Sequence, residues 1–429
     1  MKAVILTGGK GTRMSHITQG IPKTLLMIGG IPILMHHINL LKQEGIKEVY
    51  LLTGYMANKI EDYFKNATIS GITIHFTKED QALGTAGGLK CLETKIQEDF
   101  LLLYGDVMIN MDLESLIRFH KRKSPLATLV VHSNDHHYDS DVIQIDSKMK
   151  VIGFFPKDRE PTLYYDNIVN AGVYVLSSNI FHYIPEGKCD FVKDVFSSAL
   201  LKGEDLYAYK TSEYLKDSGT PGRLKQVRED YEKGVFAQKN KKRKQKAVFM
   251  DRDGVLNVSH GFITSPEQLI LLPYAGEAVK KINNSPYLAI VVTNQSVIAR
   301  NLCDLKELHF IHQKLELLLS QRKAYLDAIY FCPHHPDKGY PDERKEYKIK
   351  CDCRKPSAGM ILEAQKEFNI DLSQSLIIGD QISDIQLGKN CGMTSILIKT
   401  EDEYKKNEPD VKPDYCFNSL IDAAHFFID

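Results

Sequence analysis

Val248-Phe249-Met250-Asp251-Arg252-Asp253-Gly254-Val255 is the stretch whose reading decides the fold. An apolar run that stops at two carboxylates reads as a buried strand ending where a loop begins. Aspartates at i and i+2 on a tightening loop can both point at one site. Either alone would serve as a turn residue; together, after an apolar run, they suggest a nucleophile and a general acid/base. Outward from this point the chain repeats one style of strand, loop and helix. Residues 289–293 and 375–379 read as buried strands, and 275–282, 305–320 and 357–368 as helices. Strands alternating with helices predict an α/β fold on a mostly parallel sheet with helices on both faces.

Towards the N-terminus the same style recurs without the same sequence. Residues 3–7, 49–53, 73–77 and 100–104 read as strands, and 33–44 and 58–64 as helices. Between the two patterns lies QKNKKRKQK at 238–246, a cationic run almost without apolar content. It reads as a solvated linker or as an anionic-surface contact; its shortness and the strand directly after it favour the linker. The chain has 429 residues, too many for one core at about 100–200 residues per domain. Two Rossmann-like three-layer domains are predicted, over 1–236 and 247–429, joined by a basic linker at 237–246.

Composition narrows the class. Lys+Arg and Asp+Glu are both 55, which argues against a general polyanion binder, so no nucleic-acid partner is expected. No apolar run approaches the roughly 18 residues that span a bilayer, so no membrane partner is expected either. The N-terminal MKAVILTGGKGTRM reads as a first strand and a glycine-rich loop, not as a signal peptide. Eight cysteines in a chain this long are no disulfide scaffold, and a reducing, cytoplasmic setting is expected.

The first chemical motif is Leu6-Thr7-Gly8-Gly9-Lys10-Gly11-Thr12-Arg13-Met14. Gly8, Gly9 and Gly11 let backbone N–H groups approach a phosphate closely after a strand. The spacing fits neither the nucleotide P-loop nor the dinucleotide fingerprint. Ten residues on, Pro22-Lys23-Thr24 brings a second cation; Arg13 and Lys23 read as a pair neutralising a polyphosphate or as two surface charges.

Together with segments further along the chain, this set resembles the sugar-1-phosphate nucleotidyltransferases. Glu79 and Leu83-Gly84-Thr85-Ala86-Gly87-Gly88 are similar to that family's base- and sugar-side loop, and Tyr104-Gly105-Asp106 to its metal-binding strand end. Phe155-Pro156-Lys157 is similar to the segment with a substrate-phosphate lysine, and Asn170-Ala171-Gly172 to the sugar-contacting stretch. Lys216-Asp217-Ser218-Gly219-Thr220-Pro221 is similar to the segment with the second metal aspartate. Thr24 departs from a proline more usual there. The resemblance implies attack of a sugar-1-phosphate oxygen on the α-phosphorus of a nucleoside triphosphate, with Mg²⁺ between Asp106 and Asp217. It makes Arg13 and Lys23 catalytic cations and Lys157 a holder of the sugar phosphate. Read without it, Asp106 is a helix N-cap and Asp217 a turn residue.

After the two aspartates of the second half come Thr293-Asn294-Gln295-Ser296, Arg354-Lys355-Pro356 and Gly379-Asp380 with Asp384 four residues on. The four pieces, in order, resemble the haloacid-dehalogenase (HAD) superfamily of phosphohydrolases. That implies Asp251 as nucleophile, Asp253 as general acid/base, and Thr293 and Lys355 on the phosphoryl oxygens. Mg²⁺ would sit on Asp251, Asp380 and the backbone carbonyl of Asp253, with Asp384 orienting the group. Cys332-Pro333-His334-His335 and Cys351-Asp352-Cys353 make a Cys₃His set suited to tetrahedral, structural Zn²⁺. His334 is the expected ligand and His335 the alternative.

The zinc loop narrows the resemblance to heptose-bisphosphate phosphatases and the related histidinol-phosphate phosphatases. Asp251 to Asn257, His260-Gly261-Phe262 and Thr293 to Arg300 are closer to the heptose branch. Val297, Asn301 and Gln381 depart from it. Thr293, Asn294, Arg354 and Lys355 are the expected substrate contacts. The two halves then explain each other: a 7-phosphatase makes heptose 1-phosphate from the 1,7-bisphosphate, and a nucleotidyltransferase, expected to use GTP on the α-anomer, activates it. Other bases or sugars, with a histidinol-type phosphatase, form the alternative. A ligand-sensing or scaffold reading would call for loss of Asp106, Asp217, Asp251 or Asp253, and all four are present. The expected partners are a nucleoside triphosphate and sugar phosphates; oligomeric state is left open.

Overall fold

The computed structural model describes residues 1–9, 20–65, 69–79, 81–137, 140–155, 164–337, 339, 342–399 and 411–428. It forms two compact units. One comprises Met1–His132, Asp141–Pro156 and Ile168–Asn240; the other comprises Ser133–Ser140, Lys157–Asn167 and Lys241–Asp429.

In the first unit the strand Lys2–Leu6 lies between Glu48–Thr53 and Phe100–Tyr104, parallel to both, and Thr73–Lys78 extends the parallel part. Beyond Phe100–Tyr104 the sheet becomes mixed, because Val169–Leu176 joins antiparallel. Alternate residues feed opposite cores. Val4, Leu52, Phe100 and Leu102 belong to one apolar cluster, and Ala3, Ile5, Leu51, Leu101 and Leu103 to another. That period of two with both faces buried is why these strands are almost uniformly apolar. The helix Ile33–Gln43 covers the second face with Leu34, Ile38, Leu40 and Leu41. A separate two-stranded ribbon pairs Val107–Asn110 with Tyr214–Asp217, aligning Val107 with Asp217.

The second unit has a six-stranded parallel sheet. Its order is Ala328–Cys332, Tyr287–Asn294, Lys246–Met250, Leu376–Gly379, Thr394–Ile398 and Tyr415–Phe417. The first strand in sequence is central, so the connections run opposite ways on its two sides. The crevice at the carboxyl ends beside it is where doubly wound sheets place ligands. Val248 and Met250 face one core, Ala247 and Phe249 the other. The helix Leu305–Ser320 begins at Asp304, whose carboxylate accepts from the Glu307 N–H while Glu307 reaches back.

The cationic run is divided between the units. Asn240 donates to Asn110 Oδ1 at 2.8 Å in the first. Gln245 N–H donates to Asn369 O at 3.0 Å in the second, and Lys242, Arg243 and Lys244 are exposed.

Candidate active sites

In the second unit the parallel strands deliver the chemistry to one edge. Asp251 follows Met250, and its N–H donates to Ile378 O at 2.9 Å, which ties it to the strand Leu376–Gly379 that Asp380 follows. Asp251, Asp380 and Asp384 each offer an oxygen within 4.8 Å of the others. Lys355 reaches into this group. Its Nζ lies 2.9 Å from Asp251 Oδ2 and 2.6 Å from Asp384 Oδ1, with about 1% of the side chain exposed. Asn294 holds the lysine's backbone in place: its Oδ1 accepts from Lys355 N–H at 3.0 Å.

Three carboxylates share one ammonium here, and the electrostatics reflect it. Burial, reinforced by the Asp251 charge, outweighs Lys355 and pushes Asp384 up to about 7. Burial likewise raises Asp380. Asp380 Oδ1 is buried and accepts no hydrogen bond from any described residue. Gly254 has φ +82°, and a Cβ there would lie 2.3 Å from Asp380 Oδ2, so only glycine leaves this space open. An electron-rich, under-satisfied oxygen cluster of this kind fits a hard divalent cation such as Mg²⁺.

Asp253 points to a different set of partners. Asn257 Nδ2 and Gln295 Nε2 donate to it at 2.9 Å each, and the Arg252 guanidinium pairs with it at 2.9 Å. Burial would raise this carboxyl, but Arg252 and the two amides hold it below the usual range. Thr293 is buried, and its Oγ1 accepts from Gln295 Nε2 at 2.9 Å. Arg252, Asn257 and the side chain of Gln295 were not singled out from the sequence. The signal was an arginine set between two carboxylates after a buried run, where a surface charge is out of place.

Cys332, His334, Cys351 and Cys353 converge. Cys332 Sγ lies 3.5 Å from Cys351 Sγ and 3.0 Å from Cys353 Sγ, and His334 Nδ1 lies 3.3 Å from Cys353 Sγ. Tetrahedral Zn²⁺ with bonds of about 2.3 Å sets sulfurs about 3.8 Å apart, so the four groups converge on one ion's space and the closest pair would open slightly around it. His335 instead faces Arg300, at 3.4 Å. Arg354 Nη1 donates to His334 O at 3.2 Å, which joins this loop to the Arg354-Lys355 pair.

In the first unit Asp106 lies in the turn between the strand Phe100–Tyr104 and the ribbon strand Val107–Asn110, and Asp217 ends the ribbon. Ser218 joins them, donating from N at 2.9 Å and from Oγ at 2.7 Å to Asp106 O. Lys23 Nζ lies 3.8 Å from Asp106 Oδ2, and Asp217 Oδ2 pairs with Arg223. Asp106 does not cap a helix; that place belongs to Asp112, ahead of Leu113–Lys123. The Glu79 carboxylate occupies the space between Gly8 and Gly88, where a Cβ would lie 2.8 and 1.5 Å from its oxygens, and burial raises its pKa. Thr85 Oγ1 donates to Asp190 Oδ2 at 2.8 Å, and Asn170 Nδ2 donates to the Tyr174 hydroxyl at 2.6 Å. Gly9 ends the described part of the glycine loop; Gly11, Arg13 and Lys157 lie outside the described residues.

Residues 2–234 match the nucleotidyl transferase family, and residues 352–423 the HAD-hydrolase-like family. Over 184 residues the chain is 38% identical to a D-glycero-β-D-manno-heptose-1,7-bisphosphate 7-phosphatase of Haemophilus ducreyi, spanning 42% of this chain and 98% of that protein. The chain belongs to both families. Two activities, nucleotidyl transfer and phosphate-ester hydrolysis, are therefore joined in one polypeptide. The transferase half is also 32% identical over 222 residues to a mannose-1-phosphate guanylyltransferase of Mycobacterium tuberculosis, covering 51% of this chain and 61% of that protein. The crystal structure of HddC from Yersinia pseudotuberculosis aligns with 25% identity and a TM-score of 0.47, over 54% of this chain and 99% of that one. Among the described residues no helix is long and apolar enough to cross a membrane.

Proposed function

We propose that the chain performs two consecutive steps of nucleotide-activated heptose synthesis in the cytoplasm, with residues 1–236 as transferase, 237–246 as linker and 247–429 as phosphatase. The phosphatase half removes the 7-phosphate of D-glycero-D-manno-heptose 1,7-bisphosphate. The transferase half then moves a nucleotidyl group, GMP from GTP, onto heptose 1-phosphate and releases pyrophosphate. The observation that carries this reading is the Asp251, Asp380, Asp384 and Lys355 constellation, within a half that aligns along nearly the whole of a heptose-bisphosphate phosphatase.

In the phosphatase site Asp251 attacks phosphorus and forms an aspartyl-phosphate. Asp253 gives a proton to the departing sugar oxygen, then takes one from the water that cleaves the intermediate. Thr293, Asn294, Arg354 and Lys355 receive the phosphoryl oxygens and the rest of the substrate. Asp251, Asp380 and the carbonyl of Asp253 would hold Mg²⁺, while Asp384, engaged with Lys355, orients the group. The cation supplies charge neutralisation between nucleophile and phosphate. Cys332, His334, Cys351 and Cys353 would hold a structural Zn²⁺ that fixes the loop adjoining Arg354.

In the transferase site Asp106 and Asp217 would hold a second Mg²⁺. Lys23 and Arg13 offset triphosphate charge, and Gly8, Gly9 and Gly11 bring backbone N–H groups to it. Glu79, Gly84 and Thr85 line the base and sugar side, with Lys157 and Asn170 on the sugar phosphate. No covalent step is needed, so alignment and charge neutralisation carry the reaction.

The test is a coupled assay with Mg²⁺ and the heptose bisphosphate, offering each nucleoside triphosphate in turn and following phosphate and nucleotide-sugar by mass. Phosphate release with GDP-heptose from GTP alone is the expected result. Product from another triphosphate overturns the base, and no phosphate release overturns the heptose substrate.

A further inference from the structure

Arg252 stands between the two aspartates and is fully buried. Its Nε and Nη2 donate to Asp253 Oδ1 at 3.2 and 3.1 Å, and Nη2 also reaches Oδ2 at 2.9 Å. The same Nη2 donates to Gln295 Oε1 at 3.1 Å. Gln295 in turn donates from Nε2 to Asp253 Oδ2 and to Thr293 Oγ1, each at 2.9 Å. Asn257 completes the enclosure on Oδ1. Arg252 Nη1 is buried and finds no acceptor among the described residues.

A guanidinium taken wholly out of water is costly unless an anion lies against it. The rest of the pocket leaves this one incompletely satisfied, so Asp253 is what holds it there. A scaffold arginine could be paired with any buried carboxylate; this one is paired with the carboxylate that must transfer the proton. Both oxygens of Asp253 are engaged, one of them by two donors from the arginine, so the carboxylate plane is fixed.

We infer that Arg252, acting with Gln295, is a positioning residue that sets the orientation of the Asp253 carboxyl for proton transfer, and that the shared Gln295 amide ties this orientation to Thr293. The inference rests on the acid/base role proposed for Asp253. In the step concerned, the Asp251 oxygen bonds to phosphorus, the bond from phosphorus to the leaving oxygen breaks, and that oxygen takes the Asp253 proton. A leaving group that departs as a stable anion needs no such proton.

This gives a test that a merely structural role would not pass. The full chain with Mg²⁺ is taken through a single turnover with p-nitrophenyl phosphate, whose leaving group departs unprotonated, and with phenyl phosphate, whose leaving group does not. R252M is expected to slow phenol release about 30-fold or more while p-nitrophenolate release stays within about threefold, with R252K intermediate. Equal losses on the two esters, or no loss on either, overturn the inference. D253N separates it from the reading beneath it. If D253N treats the two esters alike, the acid/base role of Asp253 fails and the inference with it. If D253N discriminates and R252M does not, the inference alone fails. Should R252M not fold by circular dichroism, Q295L decides by the same comparison: discrimination supports the clamp and its absence overturns it.

Discussion

Replacing Lys355 with methionine removes the one ammonium set between Asp251 and Asp384 while keeping most of the side chain's volume. The lysine is about 1% exposed, and so is the Asp384 side chain, so water does not take its place. Breaking a buried pair in this way costs about 3–5 kcal/mol, because the surviving carboxylates stay desolvated. The pH dependence of the loss comes from the shifts already present. With Lys355 in place, burial holds Asp384 at about 7, against an ordinary value of about 3.9. A raised carboxyl keeps a proton in the folded state that the unfolded chain has released. Stability from this group therefore falls as pH rises from about 4 to about 7 and levels off above. In Lys355→Met the carboxyl rises further, so the fall continues beyond 7 where the native chain levels off. The gap between the two proteins should widen by about 1 kcal/mol between pH 7 and 8, because the native carboxyl is still giving up its last half proton there, and Mg²⁺ should narrow it. Hydrogen exchange read by mass spectrometry on peptides containing Lys246–Met250 and Leu376–Gly379 measures this, with Lys2–Leu6 as the internal reference. A gap that is the same at both pH values, or under about 1 kcal/mol at pH 8, refutes the argument.

Other perturbations each address a single group. His37 is fully buried and its burial lowers it to about 4; it stays neutral in the fold while the unfolded chain protonates, so stability is lost as pH falls from about 6.5 to 4, by about 3 kcal/mol. H37Q should flatten that slope in exchange of Lys2–Leu6 peptides. Gly254→Ala places a Cβ 2.3 Å from Asp380 Oδ2 and should cut phosphatase turnover about 100-fold while nucleotidyl transfer is unchanged. Cys353→Ala removes one of four converging metal donors; elemental analysis should show zinc lost from the purified chain, and phosphatase activity should fall with it.

The strands and helices of both halves were legible because they are the most regularly patterned parts of the chain. The helix expected over 305–320 is Leu305–Ser320, and the strand over 100–104 is Phe100–Tyr104. What the pattern missed was direction. A run such as Val169–Leu176 is equally apolar whether it joins a sheet parallel or antiparallel, since both faces are buried either way. The convergence of Asp251 and Asp380 was legible because carboxylates recur just past buried strands, and the structure brings them together with Asp384. Site residues were not legible where a residue's meaning depends on a partner far along the chain. The setting of Arg252 after a buried run hints that it is no surface charge, but its partner Gln295, 43 positions on, is visible only in the fold. Asp106 illustrates the reverse. A helix comes soon after it and invites an N-cap reading, yet Asp112 holds the cap and the Asp106 carbonyl accepts from Ser218, next to Asp217.

The two sites set lysine against aspartate at the carboxyl end of a parallel strand, and they differ mainly in water. Lys23 lies 3.8 Å from Asp106, whose side chain is 38% exposed. Lys355 lies within 3 Å of two carboxylates in a pocket that water barely reaches. An exposed pair is screened and worth little by itself, so on the proposed reading a triphosphate and its cation would supply the charge that organises the transferase site. That suits a reaction in which the protein makes no bond to the substrate. On the proposed reading the phosphatase half must instead keep a carboxylate ready to attack an anion. Its buried lysine pairs with Asp251 at 2.9 Å, and burial would strengthen the interactions of a phosphoryl group arriving there. The cost is three desolvated carboxylates around one ammonium, which a bound cation would relieve, and the raised Asp380 and Asp384 carboxyls are where that cost is visible.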